Sequence, residues 1–174
     1  MKSFEQYLNK LTLDDLRTEL QQLFRDIPAV EEYYELKLSG NQVNKTIKKK
    51  YETQINDALY PDSQFHGGFD LDKVEEILNR MKQSHKIRYY IEIGKYAVKQ
   101  ATELANAYGG DYGEDFYIYF EELFEEIIEK AIEMNWGEEY RLEFKKLADG
   151  AFEGYGHYDQ LQDVFDKMFN TGNH

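Results

Sequence analysis

Glu114-Asp-Phe-Tyr-Ile-Tyr-Phe-Glu-Glu-Leu-Phe-Glu-Glu-Ile-Ile-Glu-Lys-Ala-Ile-Glu-Met134 decides the fold class. Phe116, Phe120, Leu123, Ile127, Ile128 and Ala131 return every three or four residues, the period of one helix face. Glu121, Glu125, Glu129 and Glu133 descend another face at i+4 spacing, flanked by Glu122 and Glu126, with Lys130 the only basic residue in the run. Like charges four apart disfavour an isolated helix by about 0.2–0.5 kcal/mol per pair. Burial of the apolar stripe must outweigh that repulsion, so this helix is expected to pack on others.

The same period extends in both directions. Downstream, Tyr140, Phe144, Leu147, Ala148 and Ala151 form a stripe after Trp136-Gly137, and Tyr158, Leu161, Phe165 and Met168 form another after Gly154-Tyr-Gly156. Upstream, a long helix is expected from about Lys86 to Tyr108, ended by Gly109-Gly110. Its Gly94, Ala97, Ala101 and Ala105 make a seam of small residues that lets a neighbouring helix approach closely. Asp70 caps a helix carrying Leu71, Val74, Leu78 and Met81, and Val43, Ile47, Tyr51, Ile55 and Leu59 precede Pro61. Nearer the start, Ser3 and Thr12 are candidate N-caps, the latter with Asp15 in the box position. Leu13, Leu16, Leu20, Leu23 and Phe24 follow, then Pro28 opens a helix that stops at Gly40.

No comparable stretch alternates with period two, so the expectation is an all-α, irregular multi-helix bundle of about eight helices. The hairpins 86–134 and 138–170 have the look of helical-repeat pairs, but no signature residues recur at a fixed period. Pro61-Asp-Ser-Gln-Phe-His-Gly-Gly-Phe69 is the one break rich in turn residues. It divides the chain into an N-terminal helical half at 1–60, a connecting loop at 61–69 and an acidic C-terminal helical half at 70–174.

Charge is the main functional clue. Residues 1–60 carry 9 Lys/Arg against 10 Asp/Glu and 61–108 carry 7 against 7, whereas 109–174 carry 5 against 17. The last third therefore holds −12 of the net −13. Such a field repels nucleic acid and anionic membrane and favours basic partners or cations. With no Cys, disulfides, thiolate metal sites and cysteine nucleophiles are excluded. The opening Met1-Lys-Ser-Phe-Glu-Gln-Tyr-Leu8 has no apolar core of the kind a signal peptide needs, and no window spans a membrane. The expectation is a cytoplasmic acidic protein.

Several chemistries fail on residue type. A di-iron bundle needs Glu-x-x-His pairs, and none of His66, His85, His157 or His174 has Glu three before it. Asp149 to Gln160 superficially resembles a calcium loop, but Ala151 and Gln160 stand where ligands are required. No P-loop and no complete G-x-G-x-x-G is present. Lys45, Lys48, Lys49 and Lys50 read as a solvated lysine face, without the interleaved aromatics of a nucleic-acid site. A ligand turn remains open at Gly154, Gly156, His157 and Asp159, where a helix N-terminus could present backbone N–H groups to an anion. Asp159 in the first turn competes with that anion.

Leu8, Leu11-Thr-Leu-Asp-Asp-Leu16, Leu23-Phe24, Glu32-Tyr33-Tyr34-Glu-Leu-Lys-Leu38 and Gly154-Tyr-Gly156-His-Tyr158-Asp159-Gln-Leu161 together resemble an uncharacterised bacterial all-helical family, domain-of-unknown-function family 6155. That resemblance implies a helical bacterial cytosolic protein and brings no activity, cofactor or catalytic residue. The expected function is a non-enzymatic protein-interaction module that docks a basic protein through Glu121, Glu122, Glu125, Glu126, Glu129 and Glu133. The alternative is a small-molecule binder or enzyme with a site between the helical halves, using His66 or the Gly154–Asp159 turn. No cofactor or metal is expected.

Overall fold

A computed structural model describes residues 2–40, 42–60 and 68–170. Among them there are nine helices and no strand: α1 Lys2–Leu8, α2 Leu13–Asp26, α3 Pro28–Leu38, α4 Lys45–Leu59, α5 Leu71–Gln83, α6 Ile87–Tyr108, α7 Glu114–Glu133, α8 Gly137–Asp149 and α9 His157–Phe169. The chain is all-α. It forms two compact units, 1–40 and 41–174.

In the smaller unit the helix starts follow local chemistry. Thr12 and Asp15 close a reciprocal capping box on α2, and Pro28 occupies the first turn of α3. Ser3, read as an N-cap, lies inside α1, which begins one residue earlier. No residue of α2 is buried. Leu20 and Phe24 with Tyr34 and Leu38 of α3 instead line a shallow groove of about 310 Å³.

The larger unit is built around α6 and α7. Asn44 and Asp70 cap α4 and α5 with their side chains. Helix α6 ends where Gly109 and Gly110 take φ of +82° and +70°, a conformation that favours glycine. Twelve of its residues are buried, including the whole small-residue seam. The seam meets α7: a Cβ placed on Gly94 would stand 2.6 Å from Ile127 Cγ2. Helix α4 packs on α5 and α6, α6 also on α8, and α9 closes over α7 and α8. Thus α4 (45–59), which sequence alone groups with the N-terminal half, has its apolar face in the same core as α5 and α6. The chain between α4 and α5, most of it outside the described residues, connects helices of one unit.

The tyrosines divide by position. Tyr51, Tyr89, Tyr90, Tyr117 and Tyr140 fill the core, while Tyr108 and Tyr155 are exposed.

Candidate functional site

The glutamates of α7 do not form one free face. Glu121 Oε1 lies 2.8 Å from Nδ1 of His157, whose side chain is 3% exposed. Glu125 accepts from Lys167 of α9 at 2.8 Å. Glu126 accepts from Lys82 of α5 at 2.6 Å, and Glu133 from Lys130 at 2.8 Å. Burial works against ionisation of Glu126, but Lys82 outweighs it and holds the carboxyl below the usual range. Three of the six carboxylates therefore tie α7 to its neighbours. Glu122 and Glu129 make no ion pair among the described residues.

Glu122 belongs to a different constellation. Leu71, Asp72 and Glu75 of α5 and Asp115, Ile118, Tyr119 and Glu122 of α7 line a groove of about 290 Å³. Side chains from the N-terminal parts of both helices line it, and each first turn carries acid, as helix dipoles favour. All four carboxylates are exposed, and none makes an ion pair among the described residues. Burial, aided by Glu75, raises the pKa of the Tyr119 phenol, which keeps it neutral. Leu71 and Ile118 supply apolar surface beside the charges. Among the described residues no group of His, Asp and Glu is arranged to hold a metal ion. The groove can therefore accept a cationic side chain, its stem against Ile118 and its head among carboxylates. Sequence reading found Glu122 and missed Asp72 and Glu75, which lie 40 or more residues from the α7 carboxylates in a stretch of balanced charge, and Asp115, which stands in the acidic stretch but off the i+4 run.

The glycine turn before α9 is closed by aromatic packing. Tyr117 stacks on Phe152 and on Tyr155, with ring centroids 6.0 and 5.1 Å apart. Its hydroxyl donates to the Gly110 carbonyl at 2.5 Å, and burial pushes its pKa up to about 12. A side chain on Gly154 would collide with the Phe152 ring, so glycine there serves close packing. Gly156 takes φ of +76° as the α9 N-cap residue. His157 turns inward to Glu121, and Asp159 is exposed. The structure thus does not bring His157 and Asp159 together on one ligand surface. His66 lies outside the described residues, as does His174.

Comparison with protein-family models, curated proteins and solved structures gave no match to this chain. No helix among the described residues is long and apolar enough to cross a membrane.

Proposed function

We propose that this protein is a non-enzymatic interaction module whose acidic α5–α7 groove receives basic side chains of a partner protein. One observation carries the reading. Asp72, Glu75, Asp115 and Glu122 converge on a groove without a cation among the described residues, while most of the α7 glutamates are already paired. The net −13 adds long-range attraction for a basic surface. Each exposed pair contributes about 1 kcal/mol or less, and micromolar affinity needs about 8 kcal/mol. The partner must therefore present several basic residues and apolar contact, and binding will be fast and salt-sensitive.

The test is fluorescence anisotropy of a labelled oligolysine peptide at low and at physiological ionic strength. Triple neutralisation by Glu75→Gln, Asp115→Asn and Glu122→Gln should weaken binding several-fold. Glu125→Gln, whose carboxylate already serves Lys167, should change it little. Equal affinity for the triple variant and the parent would sink the groove reading.

A further inference from the structure

The smaller unit carries an apolar seam that stands open. Leu13, Leu16, Leu20 and Leu23 of α2, with Ile27 just past its end, recur at alternating steps of three and four residues. That strict alternation is the seam of a helix paired with another helix, narrower than the face of an ordinary surface helix. All five are between 38% and 63% exposed, with Phe24 beside them at 37% and Leu38 of α3 at 77%. Leu20, Phe24, Tyr34 and Leu38 line one groove, so the face continues from α2 across to α3.

Among the described residues of 1–40 only Leu36 is buried. Units of about 40 residues usually need disulfides, a metal or oligomerisation to hold together, and this chain has no Cys. A hairpin of two helices buries one side of each apolar stripe and leaves the other side open. A second layer of helices completes such a core.

The area fits a second copy. At roughly 200 Å² for a whole large side chain, these seven residues leave about 700 Å² of apolar surface exposed on one copy. The largest patch on a typical monomer is about 300–600 Å². Two such faces together would remove about 1,400 Å², within the about 1,200–2,000 Å² of a standard interface. Charge allows the pairing too. The flanks of the seam carry both signs, Arg17 and Arg25 with Asp14, Asp15 and Glu19. Residues 1–40 hold 5 Lys/Arg against 8 Asp/Glu, so only −3 of the net −13 lies here. Two copies meeting through 109–174 would instead bring together −12 from each.

We infer that the protein is a two-fold dimer in which the α2–α3 hairpins of two copies close a four-helix bundle. Leu16, Leu20, Leu23 and Phe24 of each copy enter the seam of the other, as core positions do in such bundles. The same patch serves both copies, so the assembly closes at two. It shares no residue with the acidic groove, and either reading can fail without the other.

The test is sedimentation equilibrium of the whole protein over a wide concentration range. The mass should approach twice the 20.7 kDa of one chain and should hold at high salt, because apolar burial rather than charge closes the interface. Leu20→Asp places a charge in the seam and should weaken the dimer about a hundredfold or more, while the backbone amides of α4 to α9 keep their NMR shifts. Leu142→Asp, at an α8 side chain that is 75% exposed, should stay dimeric. In the parent protein, a mixture of ¹³C-methyl-labelled and unlabelled chains should give filtered NOEs from the Leu20 and Leu23 methyls to aromatic rings of the other copy. A single-chain mass at every concentration overturns the inference. So does a dimer that survives Leu20→Asp or dissociates in salt, and so do NOEs that join the α2 methyls to 41–174 of their own chain.

Discussion

Replacing Gly94 by alanine tests the packing of the two central helices. Two effects oppose each other. Alanine is a better helix former than glycine by about 1 kcal/mol in a helix interior. Against that, its methyl would stand 2.6 Å from Ile127 Cγ2 and 3.7 Å from Leu123 Cδ1, where carbon atoms prefer about 3.5–4.0 Å. Ile127 is fully buried, and its Cγ2 hangs from a β-branched carbon that is stiff at χ1, so it cannot swing away. Overpacking of this kind costs about 1–3 kcal/mol, which leaves a net loss of about 1 kcal/mol. For a chain of this size that lowers Tm by about 2–4 °C. The assay is urea and thermal unfolding of Gly94→Ala, Ile127→Leu and the double variant. Leucine has no Cγ2, so it removes the obstructing methyl at nearly constant volume. In the Ile127→Leu background Gly94→Ala should become neutral or stabilising, with coupling of about 1 kcal/mol. Gly94→Ala stabilising the parent protein, or adding independently to Ile127→Leu, would refute the account of close α6–α7 approach.

Three further outcomes are expected. Because the carboxyl of Glu126 has a lowered pKa when folded and an ordinary one near 4.5 when unfolded, its pairing stabilises the protein above about pH 4.5. That contribution is lost as pH falls through the folded value. Lys82→Gln should remove about 0.5–1 kcal/mol at neutral pH, a figure already reduced for partial exposure. It should also flatten the acid limb of stability measured by urea titrations across pH. Thr12→Ala breaks the capping box of α2 and should cost about 1 kcal/mol, seen as faster amide exchange across 13–26 with 41–174 unaffected. Thr102→Val removes a buried hydroxyl that has no hydrogen-bond partner among the described residues and should raise stability in urea by about 1 kcal/mol, so a loss there would show that the hydroxyl is satisfied after all.

Much of the fold was legible because helix boundaries are written in local chemistry. The Thr12 box, Pro28, Gly40, Asp70 and Gly109-Gly110 each act within a few residues and stand where their side chains or φ angles require. The seam of α6 was legible for the same reason, since it is a periodicity. What was hidden depends on which helices become neighbours. Glu121, Glu125 and Glu126 look like one free face until His157, Lys167 and Lys82 arrive from 36 to 44 residues away. Asp72 and Glu75 become part of a site only when they line one groove with Asp115 and Glu122 of α7. Lys48 sits in a basic run that reads as solvated, yet Glu92 draws it to the rim of a cleft. Charge counts along a chain cannot see such pairings, because they are properties of the packing.

The way α4 to α9 pack also bears on how the protein is made. Every principal partner of a helix in the larger unit is its neighbour in sequence or the next but one. Such contacts close no loop longer than one intervening helix with its connections, and loop closure is the entropic obstacle that slows folding. The larger unit should therefore fold within milliseconds, without long-lived intermediates. On the ribosome, each new helix would emerge to find the surface it needs already in place.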